Sequence, residues 1–413
     1  MKISVACSSV APHVRQTVMA YYEANFLDLF YTSFFSHPEY NFSSFLGKSG
    51  FIKQSLKRRS FDSLPIGYFK SRPIPELIRT FSSMAINPSI TDIIWEWADL
   101  GFDSWVAKQI GKNIDAIHVY EHSGLYTIIK ANKIGILTVH EQSSVHESFL
   151  IKIMEEQVQQ HPQFASYFTM LKDNVKTLRR SVRKGKQLEL ADIILCNSTF
   201  TKRSLLAAGF SDNKIKVIPL AFPKPIEKIK LKEKGAPLRF LYAGNQSFTK
   251  GTHLLYQAWK NCSFAGNDVE LWVIGKMMLP KELITDLPGK VVIKDNIPNH
   301  ELMMLYSSID VFILPTLSDG FGMVVTEAMS QGIPVIATEN CCAPDIIENN
   351  KSGWIIQAGC INSLTKQMIW CYNNRDKLPE FGKAALFKAV EWQWEDYRKK
   401  LATLIEDSCK NRA

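Results

Sequence analysis

The feature that most constrains this chain is a rhythm. Short apolar runs of strand character alternate with amphipathic stretches of helical spacing almost from end to end. In the first half the strand runs fall at residues 2–7, 28–33, 115–120, 136–140, 192–197 and 216–219. Helical spacing fills residues 14–25, 93–110, 126–133 and 200–208. The second half repeats the beat more tightly, with runs at 239–244, 270–275, 291–294, 310–315, 334–338 and 354–357. A strand–helix–strand order needs a crossover, and crossovers set strands parallel with helices on both faces. The pattern predicts an α/β chain of doubly wound parallel sheets.

Residues 221–237 break the rhythm. They hold three prolines, one glycine and alternating lysine and glutamate, and read as a linker. The chain then divides into a first domain at 1–220, a second at 238–390 and a last helix at 391–413. For 413 residues, two domains of this size can each bury a core. Ligands of open α/β sheets bind beyond the carboxyl ends of the strands, so two facing domains would put a site in the cleft between them.

Composition narrows the class. Hydrophobic residues are 46% and charged residues 22%, as in globular proteins, which excludes disordered, collagenous and coiled-coil chains. Apolar runs such as 311–314 fall far short of the ~18 residues that span a bilayer. Residues 1–6 read directly into a strand, without a signal-peptide cleavage pattern after them. Eight cysteines are scattered without a C-x-x-C pair, as expected for buried free thiols in a reducing compartment. The expectation is a soluble, cytoplasmic chain.

The net charge of +9 is uneven. Lys48, Lys53, Lys57, Arg58, Arg59, Lys70, Arg72 and Arg79 face only Asp62 and Glu76, and a second basic cluster runs through residues 172–186. Basic patches attract the phosphates of nucleic acid, nucleotide or lipid headgroup. Phe42, Phe45, Phe51, Phe61, Tyr68 and Phe69 interleave with the first cluster, a combination that suits an anionic membrane surface. The alternative is a loop whose aromatics pack on the first domain, and Pro65, Pro73 and Pro75 would break a long helix there. No recognition motif accompanies the charge, so nucleic acid is not expected as a partner.

Four local patterns carry chemistry. In the segment 318–332, Asp319-Gly320-Phe321-Gly322 follows an apolar strand and Met323 opens a helix. Gly320 and Gly322 would let a ligand approach the backbone, and the first amides, Met323 and Val324, with the helix dipole would form an anion site. Asp319 and Glu327 both fall near the strand edge; a bare Gly turn with a solvated helix glutamate is the plainer alternative. The segment Gly244-Asn245-Gln246-Ser247-Phe248-Thr249-Lys250-Gly251 also joins a strand to a helix. Its lysine suits a diphosphate as a point charge, though alone the pattern is a simple turn.

His118-Val119-Tyr120-Glu121-His122 spells H-x-x-E-H, a zinc-peptidase pattern when helical. Here the alternation of residues 115–120 puts it on a strand, away from helical ligand spacing, so no metal is expected. His140 and Glu141 end the next strand, where a lone histidine is ordinarily a hydrogen-bonded structural residue.

The run Glu327-Ala328-Met329-Ser330-Gln331-Gly332-Ile333-Pro334-Val335, preceded by Asp319 and G-F-G, resembles the signature of retaining glycosyltransferase family 4, which has the GT-B fold. The likeness extends through His300-Glu301-Leu302, Tyr306, residues 310–316, 345–348 and 353–356, and further to 191–198, 216–219 and 394–397. It implies two Rossmann-like domains facing a central cleft, with the last helix crossing back to the first domain. It also implies retaining transfer of a sugar from a nucleotide diphosphate-sugar donor to a hydroxyl of a glycan or lipid-linked glycan, in cell-surface polysaccharide or glycolipid synthesis, without a cofactor. The sequence places no Asp-x-Asp or His cluster to hold a metal, so metal-independent transfer is expected. The place would be the cytoplasm or the inner face of the membrane.

By the same resemblance Gly244, Asn245, Lys250, Gly251, Gly320, Phe321, Gly322, Met323, Val324 and Glu327 bind the donor. Glu327 takes the ribose, Asp319 the donor sugar, and His140 sits beside the reacting centre, these three being the catalytic set. Ser9, His13, Glu121 and His122 line the acceptor side. The chain departs from the pattern at Asp319 (glutamate in the family), at Asn245 (often arginine) and at residues 8–13, where a Gly-Gly pair is common. A nucleotide-sugar epimerase and an inactive GT-B-like scaffold are the rival readings.

Overall fold

The computed structural model describes residues 1–39, 59–85, 88–164, 175–228, 235–264 and 268–412. Seven strands form the first sheet: β1 (Ile3–Ala6), β2 (Leu27–Thr32), β3 (Phe69–Ser71), β4 (Ala116–Tyr120), β5 (Leu137–Gln142), β6 (Ile193–Cys196) and β7 (Ile215–Val217). Their order is β3-β2-β1-β4-β5-β6-β7, and every pair is parallel. The second sheet takes β8 (Leu238–Ala243), β9 (Val269–Ile274), β10 (Lys290–Lys294), β11 (Val311–Leu314), β12 (Val335–Thr338) and β13 (Gly353–Ile356) in the order β10-β9-β8-β11-β12-β13, again all parallel.

Strands such as β1, β4, β5, β11 and β12 are buried at every position, because helices cover both faces. In each sheet the winding reverses between two neighbours, β1 and β4 in the first and β8 and β11 in the second. Crossovers leave these neighbours in opposite directions and open a crevice at their carboxyl ends. The four chemical patterns of the sequence lie at or beside these two crevices.

The helix Trp394–Lys410 lies on the first domain. A capping box between Gln393 and Asp396 starts it. Its Arg398 reaches Glu23 at 2.6 Å and Gln16 at 2.7 Å, on the helix Pro12–Glu23. The segment expected to be a linker is anchored where it is described. Phe222 is buried and donates its amide to the Trp392 carbonyl at 3.1 Å, and Ile226 donates to Ser330 at 3.0 Å. Residues 229–234 of that linker lie outside the described residues.

The prolines at 73 and 75 do not break a helix; they begin one, Pro73–Ala85. Proline fits the first turn, where amides lack helical partners anyway. The described aromatics of the first basic cluster follow the packed alternative. Phe61 is buried against Phe30 and Phe69, Phe35 stacks on Phe69 with centroids 4.0 Å apart, and Tyr68 meets Tyr22 edge-on. Phe42, Phe45 and Phe51, with Lys48, Lys53, Lys57, Arg58 and Lys172, lie outside the described residues. Exposed apolar side chains stand elsewhere: Ile74 and Ile78 on Pro73–Ala85, and Ile90, Ile93 and Trp97 along one stripe of the helix Pro88–Gln109. No helix among the described residues is long and apolar enough to cross a membrane.

Candidate active site

The loops after β8 and β11 lie back to back. Gly251 caps the helix Thr252–Cys262 with φ 67°, and a Cβ built on it would stand 1.9 Å from the Pro315 carbonyl oxygen. Only glycine permits that approach. Leu317 donates its amide to the Thr249 carbonyl at 2.9 Å, locking the loops together. The result is an ion pair between Lys250 and Asp319, which are 69 positions apart in sequence. Asp319 is held further by its amide, which donates to Asn340 O at 3.0 Å, and by Oδ1, which accepts the Phe321 amide at 3.3 Å.

Gly322, at φ 86°, turns the chain into the helix Met323–Ser330, so the amides of Met323 and Val324 have no intrahelical acceptor. Glu327 sits one turn along. Its Oε1 accepts from Asn299 Nδ2 at 3.1 Å, and its Oε2 is buried with no hydrogen-bond partner among the described residues. Burial raises the Glu327 carboxyl pKa, outweighing Asn299 and the nearby Tyr306 hydroxyl. Asn245 is exposed beside Gly244, and its carbonyl accepts from Tyr242 at 2.8 Å. Phe321 is buried in the core rather than displayed to the cleft.

The expected acceptor-side residues converge. Ser9, His13, Glu121 and His122 line one cleft of about 600 Å³ at the β1/β4 crevice. Glu121 accepts from Ser144 Oγ at 2.7 Å and pairs with Lys184 at 2.9 Å. Burial pushes its carboxyl up, but Lys184, His122 and these hydrogen bonds bring it down to about 2. His122 holds φ 79°, a left-handed conformation that costs a non-glycine residue free energy. Burial and the cations Lys184, Arg183 and Arg180 lower its pKa to about 4 against the pull of Glu121, so the imidazole is neutral at neutral pH.

The same cleft contains residues that no motif announced. Arg79, with its guanidinium 4.6 Å from the Trp95 ring centroid, lines it with Asp92, Glu96, Asp99, Arg180 and Arg183. Arg180 donates to the Asp92 carbonyl at 3.1 Å and Arg183 to Glu96 at 3.3 Å. The first basic cluster was the visible signal for Arg79, and the second for Arg180 and Arg183. The fold of the second into the helix Val175–Leu190, facing Pro88–Gln109, was not visible.

His140 is buried, with both ring nitrogens taken. Nε2 donates to Gln142 Oε1 at 3.0 Å, and Nδ1 accepts from Gln187 Nε2 at 3.2 Å. Gln142 in turn donates to the Ser144 carbonyl at 2.8 Å. His118, the first residue of H-x-x-E-H, is likewise interior. Tyr21 donates to its Nδ1 at 2.9 Å, and its Nε2 donates to Glu141 at 3.1 Å. Burial raises the Glu141 carboxyl, but the His118 hydrogen bond and the neighbouring imidazoles leave it below its ordinary value. Among the described residues, no three His, Cys, Asp or Glu side chains are grouped so as to hold a metal ion.

The two domains touch at the G-F-G turn. A Cβ on Gly320 would lie 2.0 Å from the Ser143 carbonyl oxygen, so this glycine serves domain approach. The Gly320 carbonyl accepts from Ser198 Oγ at 2.5 Å and Thr201 Oγ1 at 3.2 Å. Ser143 also lines the first-domain cleft of Ser9, His13, Glu121 and His122, which therefore abuts the loop bearing Asp319. Phe248 of the β8 loop packs on Phe164 and His253, with centroids 5.0 and 4.6 Å away.

Comparison with known proteins gives three findings. Residues 223–387 match the profile of the family glycosyl transferases group 1. The amylovoran biosynthesis glycosyltransferase AmsK of Erwinia amylovora is 29% identical over 42% of this chain and 46% of its own length. The capsular polysaccharide biosynthesis glycosyltransferase CapM of Staphylococcus aureus is 26% identical over 52% of this chain and 63% of its own. The chain thus spans about half the length of these curated relatives. Among solved structures, Anabaena Alr3699/HepE in complex with UDP superposes with a TM-score of 0.62 at 15% identity, covering 98% of this chain and 100% of that one. Sucrose-phosphate synthase from Thermosynechococcus elongatus gives 0.61 at 15% identity, covering 98% of both chains. At such identities the likeness is one of fold.

Proposed function

We propose that this chain, whose residues 223–387 match the profile of the glycosyl transferases group 1 and whose two parallel sheets have the GT-B architecture, transfers a sugar from a nucleotide diphosphate-sugar to a hydroxyl of a glycan acceptor. The observation that carries this reading is the convergence of Lys250, the Met323 and Val324 amides and the partnerless Glu327 Oε2 at the β8/β11 crevice. Lys250 and the helix amides take the diphosphate and stabilise the charge that grows on it as the glycosidic bond breaks. Glu327 Oε2 accepts the ribose hydroxyls. Asp319 meets the donor sugar.

His140 acts through Gln142, which fixes the Ser143–Ser144 backbone against Gly320, and so positions the reacting centre without touching it. The charged cleft at Ser9, His13, Glu121 and His122 receives the acceptor, with Trp95 as an aromatic platform.

Retention rests on the likeness of the 319–327 segment. Metal independence rests on the positive charge supplied by Lys250 and the amides. The Anabaena structure was solved with UDP, which makes uridine diphosphate-sugars the first donors to try. The acceptor is a glycan, carried in this reading on a lipid at the cytoplasmic face. The anionic bilayer is met by the exposed stripe of Ile90, Ile93 and Trp97 on one helix and by exposed Ile74 and Ile78 on the helix before it. NMR of the product formed in EDTA tests the chemistry: a retained anomeric centre is expected, and inversion or abolished transfer would contradict it. An epimer formed from donor alone would favour the rival enzyme.

A further inference from the structure

We propose that Asp319 competes with the diphosphate for Lys250 and thereby makes the protein favour intact nucleotide-sugar over spent nucleoside diphosphate, an inference that rests on the donor-site reading above. Three observations converge on it. The Asp319 carboxylate pairs with Lys250, the cation offered to the diphosphate. Its Oδ2 lies 3.7 Å from the point a Cβ on Gly322 would take, at the amino end of the helix Met323–Ser330, where an anion is favoured. The carboxylate is also tethered, since Oδ1 accepts the Phe321 amide at 3.3 Å, so it stays near that spot when Lys250 turns away.

The consequence follows from charge. A nucleoside diphosphate must draw Lys250 off Asp319, leaving a part-buried carboxylate without its cation and beside a second anion. The side chains of Lys250 and Asp319 are only 30% and 20% exposed, so water compensates the loss incompletely. An intact donor brings sugar hydroxyls that donate to the freed carboxylate and offset the loss. When the sugar has left, that offset leaves with it, Lys250 returns to Asp319, and the diphosphate is expelled. Asparagine keeps the Oδ1 acceptor and the shape but removes the charge. A part-exposed ion pair of this kind corresponds to about a fivefold effect on affinity.

Isothermal titration of wild type, Asp319→Asn and Lys250→Ala decides the matter, with UDP against UDP-glucose and GDP against GDP-mannose as probes. For the pair that binds, Asp319→Asn is expected to hold the diphosphate about fivefold tighter and the nucleotide-sugar no tighter, so that their affinity ratio collapses, while Lys250→Ala weakens both. The ratio is taken within one variant, so partial misfolding does not distort it. An unchanged ratio, or an equal gain for both ligands, overturns the proposal alone. Failure of wild type to bind either pair overturns the donor-site reading and the proposal together.

Discussion

Glu327 Oε2 is a buried acceptor with no donor, a state that costs about 1–3 kcal/mol in a folded protein. A ligand hydroxyl would relieve it, and a hydrogen bond to a charged group is worth about 1.5–3 kcal/mol. Glu327→Ala should therefore weaken nucleotide-sugar binding tenfold or more without lowering the melting midpoint. Asp319→Ala should weaken it less, because it also frees Lys250. Equal, negligible losses in calorimetry would remove Glu327 from the site.

His253 supplies a pH prediction. It is fully buried, both ring nitrogens lack hydrogen-bond partners among the described residues, and burial, aided by His161, lowers its pKa from 6.5 to about 3. Below pH 6.5 the unfolded chain takes up a proton that the folded chain refuses, so stability falls as pH drops from 6.5 towards 3. His253→Phe should flatten that part of the stability profile in denaturant titrations; an unchanged slope would contradict the assignment. At this scale the sequence displayed Lys250, Asp319 and Glu327 through local spacing around glycines. It could not display the Lys250–Asp319 pair or the His118–Glu141 contact, which join residues distant along the chain.

At the scale of elements, glycine decides how closely the parts approach. Gly320→Ala must push against the Ser143 backbone, and overpacking of this kind costs about 1–3 kcal/mol. Ser198→Ala removes a hydrogen bond to the same carbonyl, worth about 1 kcal/mol, together with the cap that Ser198 Oγ gives the Thr201 amide, worth about 1 kcal/mol more. Both changes should lower the denaturant midpoint, and Gly320→Ala should also enlarge the radius of gyration in small-angle scattering. An unchanged radius for Gly320→Ala would mean that the domains do not meet at the G-F-G turn.

The β-α alternation was legible because buried parallel strands are continuous apolar runs. The edge strand β3 escaped because only Phe69 of its three residues is apolar and none is fully buried. The helix Pro73–Ala85 escaped because its prolines fall in the first turn, where they are tolerated.

At the scale of the whole molecule, two Rossmann-type sheets, a returning helix and a charged first-domain cleft make one assembly around the crevice. The bilayer reading belongs to this scale. Aromatics of residues 61–69 that looked like a membrane face pack inward, because composition cannot say which side of a loop meets the core. With the exposed stripe in their place, flotation with anionic liposomes at low salt is expected, and it should drop on Ile93→Ser/Trp97→Ser. No flotation, or flotation indifferent to that pair, would leave the stripe without a membrane role.

The decisive measurement is donor capture by Lys250. A panel of UDP- and GDP-sugars is titrated into wild type and Lys250→Ala in EDTA, with melting midpoint as readout. At one hundred times its dissociation constant a true ligand adds about 2.7 kcal/mol of stability. At least one nucleotide-sugar should raise the wild-type midpoint by several degrees, and Lys250→Ala should abolish most of that shift. A flat response across the panel, or an equal shift in the variant, would contradict the account.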